Sequence, residues 1–372
     1  MGLSLRREDF STLPGWADDS HAQAFAAFRR SAEHATHKKP YRTGSLGLSH
    51  SDFEPAYAAA LSESGLRSNL KAQQFFEDWF RPVEICPGDP RLVTGYYEPE
   101  VDVSDRPESG YRFPFLRKPE NLVKVPDPDH PPYTIPTGYA FMLDEQGSFS
   151  VCPDRQAIEA GAFADQGLEI AWAASKVDVF FAHVQGCARL RFPDGKVKRV
   201  TYAAKSGHPF TGIGRLLVER GEVSAEKVSM AAIRDWLAID SDRADQLMQE
   251  NRSFIFFGEA EVDDDRLGPV AAAKVPLEPG RSMAVDRHIH SFGTPIFVAA
   301  ESLIDFDEPR SFARLMIAQD TGTAIVGPVR GDLFTGSGPE AGNKAGSIKE
   351  SARFVVLAPV GSHLARRAGH EQ

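Results

Sequence analysis

Arg189-Leu-Arg-Phe-Pro-Asp-Gly-Lys-Val-Lys-Arg-Val-Thr-Tyr202 carries alternating apolar residues on both sides of a Pro193-Asp194-Gly195 turn. That pattern predicts a β-hairpin, because a period of two puts one face of each strand in a core. A second hairpin is predicted over 141–151, around a turn containing Gly147. Farther along, 281–285, 295–300, 313–317, 323–326 and 353–357 are short apolar runs separated by turn residues. Strands of this length at this spacing point to a barrel or sandwich.

The first hundred residues follow a different period. Ala24, Phe25, Phe28 and Ala32 form one helical stripe, and Phe53, Ala56, Tyr57, Ala60 and Leu61 form another. Ala72, Phe75, Phe76, Trp79 and Phe80 form a third, with Ser68 as N-cap and Pro82 as stop. Aromatic residues at this spacing read as core. Short helices are expected at 154–160 ending at Gly161, at 230–238 after Ser229, and at 243–250 ending near Asn251. The Pro- and Asp-rich segment 101–137 reads as a crossing between domains.

A chain of 372 residues predicts two domains. Its 26 prolines and 31 glycines favour a turn-rich, strand-rich fold. The net charge of −10 argues against duplex nucleic acid, whose binding needs Lys and Arg to neutralise phosphates. A polysaccharide fits better, since sugars are held by aromatic faces and short polar groups. Cys86, Cys152 and Cys187 are widely spaced and form no CxxC pair, so they read as small core residues. No apolar run reaches 18 residues, and no apolar stretch follows Met1-Gly-Leu-Ser-Leu-Arg-Arg7, so neither a spanning helix nor an export signal is expected.

Three aspartates stand at the ends of apolar runs. Asp286 lies in Met283-Ala-Val-Asp-Arg287, Asp320 in Met316-Ile-Ala-Gln-Asp-Thr-Gly322, and Asp332 in Gly327-Pro-Val-Arg-Gly-Asp-Leu-Phe-Thr-Gly336. A carboxylate beside Gly and Phe can be desolvated, which raises its pKa toward the range of a general acid, whereas a close Arg287 or Arg330 would lower it. Pattern alone favours the plainer reading, that all three aspartates cap turns. His288 and His290 beside Asp286 raise a metal reading, but without a further histidine a solvated turn is favoured. Gly336-Ser-Gly-Pro-Glu-Ala-Gly342 has no Gly-Lys-Ser/Thr tail, so it is not a phosphate loop.

Four ordered stretches resemble the MltA family of lytic murein transglycosylases. They are Val93-Thr-Gly-Tyr-Tyr-Glu-Pro99, Phe180-Phe-Ala-His-Val-Gln-Gly186, Tyr202-Ala-Ala-Lys-Ser-Gly-His-Pro209 with Ile213-Gly214, and the three-aspartate region through Gly338-Pro-Glu-Ala-Gly342. The resemblance implies a mainly β fold with N-terminal helices. A double-psi β-barrel would be built from 1–105 and 256–372, a smaller β-barrel from the inserted 106–255, with a groove between them. It implies cleavage of the β-1,4 bond between N-acetylmuramic acid and N-acetylglucosamine, leaving 1,6-anhydro ends, with no cofactor and no metal. Asp332 corresponds to the family's catalytic aspartate, and Asp320 becomes its orienting neighbour.

Asp286 with Arg287 is expected to be structural. For Tyr96 and Tyr97 a place in the core and a ring face offered to sugar stand equally, and alternation, which sends only one of an adjacent pair into the groove, favours Tyr96 for the second. Gln185, Lys205 and Ser206 would give hydrogen bonds. Thr94, Gly338 and Glu340 complete the expected substrate-binding set. His183 and Cys187 depart from the family pattern beside the Gln185-Gly186 turn. The expected partners are peptidoglycan glycan strands and proteins of cell-wall synthesis or division, in the periplasm or at the outer membrane, although no lipobox is present. Three rivals remain: a non-catalytic glycan-binding envelope protein, a hydrolytic glycosidase using the Asp320 and Asp332 pair, and a metal-dependent hydrolase.

Overall fold

The computed structural model describes residues 4–63, 68–86, 91–124, 140–304, 306 and 310–367. The chain forms two compact units, 1–97 with 262–372, and 98–261. The first unit begins with β1 (Ser4–Arg7), α1 (His21–His37), α2 (His50–Ser62), α3 (Asn69–Trp79), β2 (Phe80–Cys86) and β3 (Leu92–Glu98). The second contains β4 (Glu100–Ser104), β5 (Phe113–Leu116), β6 (Leu122–Lys124), β7 (Ala140–Leu143), β8 (Phe149–Val151), α4 (Arg155–Glu159), β9 (Glu169–Ala173) and α5 (Lys176–Gln185). It continues with β10 (Cys187–Arg191), β11 (Val197–Lys205), α6 (Ile213–Glu219), α7 (Met230–Ile239), α8 (Ser241–Gln249) and β12 (Ile255–Ala260). The chain then completes the first unit with β13 (Ser282–Val285), β14 (Pro295–Ala300), β15 (Phe312–Asp320), β16 (Arg330–Ser337), α9 (Gly338–Ser347), β17 (Lys349–Glu350), β18 (Arg353–Pro359) and α10 (His363–Arg367).

The three predicted N-terminal helices form, and their stripes become one aromatic core. Phe25, Phe28, Phe53, Tyr57, Phe75, Phe76 and Phe80 are all buried and meet ring to ring, edge to face in pairs such as Phe28–Phe80 and stacked in Phe53–Tyr57. They pack in one cluster with the apolar faces of β14, β15 and β18. The sheet order is β1-β2-β18-β14-β15-β13-β16-β3-β17. Within it β13 runs parallel to β15 and antiparallel to β16. Buried Arg281, at the foot of β13, ties this sheet to the N-terminal region through Asp19, at 2.7 Å.

In the second unit the predicted hairpin is β10–β11, with Leu190 opposite Lys198 and the turn closed by Gly195 N–H to Phe192 O at 3.0 Å. The sheet order is β12-β11-β10-β4-β9-β5, and a bridge from Arg117 to Phe257 brings its two outer strands together. The 141–151 hairpin joins a separate three-stranded sheet. Helix α5 is capped by Ser175 and stopped by Gly186 at φ 75°, a left-handed conformation that glycine adopts without a Cβ clash.

Several expectations need correction. The segment 101–137 is no bare crossing, because β4, β5 and β6 occupy 100–104, 113–116 and 122–124. Residues 125–137 lie outside the described residues. The units divide at Glu98 and Glu261, not at 106 and 255, because β4 pairs with β9 and β10, and β12 pairs with β11. Residues 323–326 are not a strand: Ile325 N–H closes a turn onto Gly322 O, and Val326 is 70% exposed. The strand comes afterwards, as β16.

Candidate active site

Strand β13 is flanked by β15 and β16, and Ala284 is the registered neighbour of Asp320 on one side and Asp332 on the other. Registered residues share a sheet face, so both carboxylates stand on one face, about 10 Å apart at Cα from two strand spacings. Ala284 puts only a methyl group between them. Strand β3 lies beside β16, and alternation aims Thr94 and Tyr96 the same way. The Thr94 hydroxyl donates to Asp332 Oδ1 at 2.6 Å, and the Tyr96 hydroxyl donates to Asp320 Oδ2 at 3.0 Å.

The two aspartates are held differently. Asp320 ends β15 with both oxygens engaged: Oδ1 accepts from Ala272 N–H at 3.2 Å and Thr321 N–H at 2.9 Å, while Oδ2 takes the tyrosine. Burial still pushes its carboxyl up to about 6, and the neighbouring Asp332 adds to the rise. Asp332 lies inside β16, and among the described residues its carboxylate takes one hydrogen bond, from Thr94 to Oδ1. Burial raises its carboxyl above the ordinary carboxylate range, against the opposing pull of Thr94 and then Arg330. Both side chains keep part of their surface open to solvent.

Tyr96 does not offer a ring face. It is 7% exposed, tilted against Phe334 with centroids 5.3 Å apart, and buried beside Leu277, Ala284 and Ile325. Tyr97 is equally buried, with its ring against Gly342. Only the Tyr96 hydroxyl faces the acidic pair, because the ring is needed as core.

Gly338 and Glu340 fall in the first turn of α9, which follows directly on β16. Gly338 is buried with φ 85°, and Glu340 is exposed. A Cβ on Gly95 would lie 2.7 Å from Ala345 Cα, so α9 rests directly on the β3 backbone. Thr335 Oγ1 holds the same junction, 3.0 Å from Tyr96 O and 2.8 Å from Ala341 O. Ser337 and Pro339 are ordinary helix-start residues, so the chain passes from β16 straight into α9.

Asp286 stands apart from the pair. Its oxygens accept from His288 N–H and Gly327 N–H, both at 2.9 Å, so it caps a turn. The expected strut through Arg287 is absent: Arg287 is exposed and makes no ion pair with Asp286. His290 is buried and bonded to Pro328 O at 2.9 Å, whereas His288 is exposed, so the two do not converge. Among the described residues no group of three or more His, Cys, Asp or Glu could hold a metal ion.

Gln185, Lys205 and Ser206 belong to the second unit. Gln185 ends α5 and Lys205 ends β11, both half-buried. Ser206 is 1% exposed and its hydroxyl accepts from Phe254 N–H at 3.1 Å, which ties the end of β11 to the approach to β12. Cys152 and Cys187 are buried, as their reading as core predicts, and burial pushes the Cys152 thiol up to about 12.

Residues 92–258 match the MltA specific insert domain and residues 281–358 match the 3D domain, a span that holds all three aspartates. The chain is 35% identical over 272 residues to membrane-bound lytic murein transglycosylase A of Vibrio cholerae, covering 72% of this chain and 65% of that protein. It thus spans just under two thirds of that relative's length. A crystal structure of membrane-bound lytic murein transglycosylase from Agrobacterium tumefaciens superimposes with a TM-score of 0.91 at 47% identity, covering 98% and 99% of the two chains. Escherichia coli MltA with bound chitohexaose has a TM-score of 0.69 at 26% identity, covering 96% and 95%. With both family domains matched and the A. tumefaciens fold shared end to end, the chain belongs to the MltA family of lytic murein transglycosylases.

Proposed function

We propose that the protein is a lytic transglycosylase that cuts the β-1,4 bond between N-acetylmuramic acid and N-acetylglucosamine, with Asp332 as its single acid and base. The observation that carries this reading is the contrast between the two aspartates. Among the described residues Asp332 has one oxygen held by Thr94 and the other without a hydrogen-bond partner, in surroundings that favour the protonated form. Asp320 has both oxygens occupied, which suits a group that shapes its neighbour's charge and not one that exchanges protons.

The chemistry then balances on one carboxyl. Protonated Asp332 gives its proton to the glycosidic O4 as the bond to muramic C1 breaks. The resulting carboxylate takes the proton of the muramic 6-hydroxyl as O6 bonds to C1, which restores the acid. An internal hydroxyl held near C1 replaces water, so the second carboxylate of a hydrolase is not required. Thr94, Gly338 and Glu340, with Gln185 and Lys205, remain the proposed contacts to the glycan. Peptidoglycan is the proposed substrate and the cell envelope the proposed place of work, in line with relatives named membrane-bound. Among the described residues no helix is long and apolar enough to cross a membrane.

The test is mass spectrometry of products from purified sacculi with the parent and Asp332→Asn. The parent is expected to release anhydromuropeptides, lighter by one water than hydrolysed ends, and the variant none. Hydrolysed ends would instead favour a two-carboxylate glycosidase. Undiminished release by the variant would remove Asp332 from the chemistry, and no release by the parent would favour a glycan-binding protein.

A further inference from the structure

Arg330 enters β16 two residues before Asp332 and is half-buried beside it, yet it makes no ion pair with that carboxylate within 4 Å. Its Nη2 donates instead to Thr94 Oγ1 at 2.8 Å, and its Nη1 donates to Gly331 O. The same Thr94 oxygen lies 2.6 Å from Asp332 Oδ1. A guanidinium has donors only, and a hydroxyl has a single proton. Thr94 therefore accepts from Arg330, which leaves its single proton for the bond to Asp332 Oδ1. In the reverse direction, with a protonated Asp332 donating to Thr94, the threonine would accept twice and its own proton would have neither of these two partners.

We propose that Arg330 is a positioning residue that, acting through Thr94, keeps the exchangeable proton of Asp332 on Oδ2. This inference rests on Asp332 being the catalytic acid. With Oδ1 always an acceptor, Oδ2 gives the proton to the leaving oxygen and receives the next one, so the carboxyl need not rotate between the two steps. The relay also strengthens when Asp332 loses its proton, because the Thr94 bond then ends on a charged oxygen and the guanidinium charge lies behind it. Burial favours the acid form, and the relay favours the base form left after transfer. A group that must give and regain one proton in each turnover needs both.

Thr94→Val, Thr94→Ala, Thr94→Ser, Arg330→Gln and the Thr94→Val/Arg330→Gln double variant test this, each assayed for anhydromuropeptide release across pH after thermal melting has shown it folded. Losing one hydrogen bond to a charged group is expected to lower kcat roughly ten- to a hundred-fold in Thr94→Val and Arg330→Gln. The alkaline limb of the pH profile should move to higher pH in both. Thr94→Ser should restore the parent profile, and Thr94→Ala keeps the test open if the valine variant does not fold. Because Arg330 acts through Thr94, the double variant should be no slower than Thr94→Val alone. An unmoved limb, or losses that multiply in the double variant, would overturn the relay. Asp332→Asn run alongside separates the two failures: if it keeps parental turnover, the assignment of the acid fails, and if it is inactive while the relay variants behave as parent, only the relay fails.

Discussion

Replacing Asp320 with Asn should stabilise the protein at neutral pH and not at acid pH. Burial pushes the Asp320 carboxyl from an ordinary 3.8 up to about 6, so the folded state holds its proton more tightly than the unfolded chain does. Between about pH 4 and pH 6 the native state therefore carries the extra proton, and stability falls as pH rises through that window, then levels off. A rise of about two pKa units corresponds to ~3 kcal/mol at most. Partial solvent access makes about 1–3 kcal/mol the working range, or ~2–10 °C in melting temperature for a unit of this size.

Asparagine can keep every hydrogen bond. Its Oδ1 accepts from Ala272 and Thr321 N–H as before, and its Nδ2 can donate to the Tyr96 oxygen. The measurement is thermal denaturation of parent and Asp320→Asn at pH 4, 5, 6 and 7.5. The variant's advantage should be near zero at pH 4, grow through pH 6 and hold at pH 7.5. Titration of Asp332 is common to both proteins and largely cancels in the difference. A difference that does not change with pH, or a variant less stable than the parent at pH 7.5, would refute the claim that Asp320 is held in surroundings hostile to its charge.

Three further outcomes follow from the packing. Gly95→Ala would drive a Cβ to 2.7 Å from Ala345 Cα, so it should cost about 1–3 kcal/mol by overpacking and lower turnover by shifting α9, read by melting temperature and product release. Arg281→Leu leaves Asp19 buried without its guanidinium, 2.7 Å away in the parent, and should cost about 3–5 kcal/mol in urea denaturation, with Asp19→Asn in the same chain recovering part of the loss. Ser206→Ala leaves the buried Phe254 N–H without its acceptor and should cost about 1–3 kcal/mol with KM for glycan unchanged. A raised KM at parental stability would return Ser206 to the substrate contacts.

The amino-acid sequence by itself determined what neighbouring residues can settle. Helical stripes at Phe25–Phe28, Phe53–Tyr57 and Phe75–Phe76 became α1, α2 and α3, because a 3.6-residue period on one segment needs only one core to face. The Pro193-Asp194-Gly195 turn closed the β10–β11 hairpin through its own short-range bonds. The order of motifs pointed to the family and hence to Asp332. What sequence could not reveal was the partner of each polar group, because partners here come from far along the chain. Thr94 meets Asp332 across 238 residues, and Tyr96 meets Asp320 across 224.

Only strand order and register set those meetings. They place Ala284 between Asp320 and Asp332, and they turn Tyr96 from a sugar platform into core. They also leave Asp286, which local sequence cannot tell from the other two, capping a turn. All three aspartates sit in similar local sequence at the ends of apolar runs. What separates them is the partners the fold supplies: two turn N–H groups take both oxygens of Asp286, two N–H groups and the Tyr96 hydroxyl take both of Asp320, and among the described residues Thr94 holds Oδ1 alone of Asp332, the proposed acid.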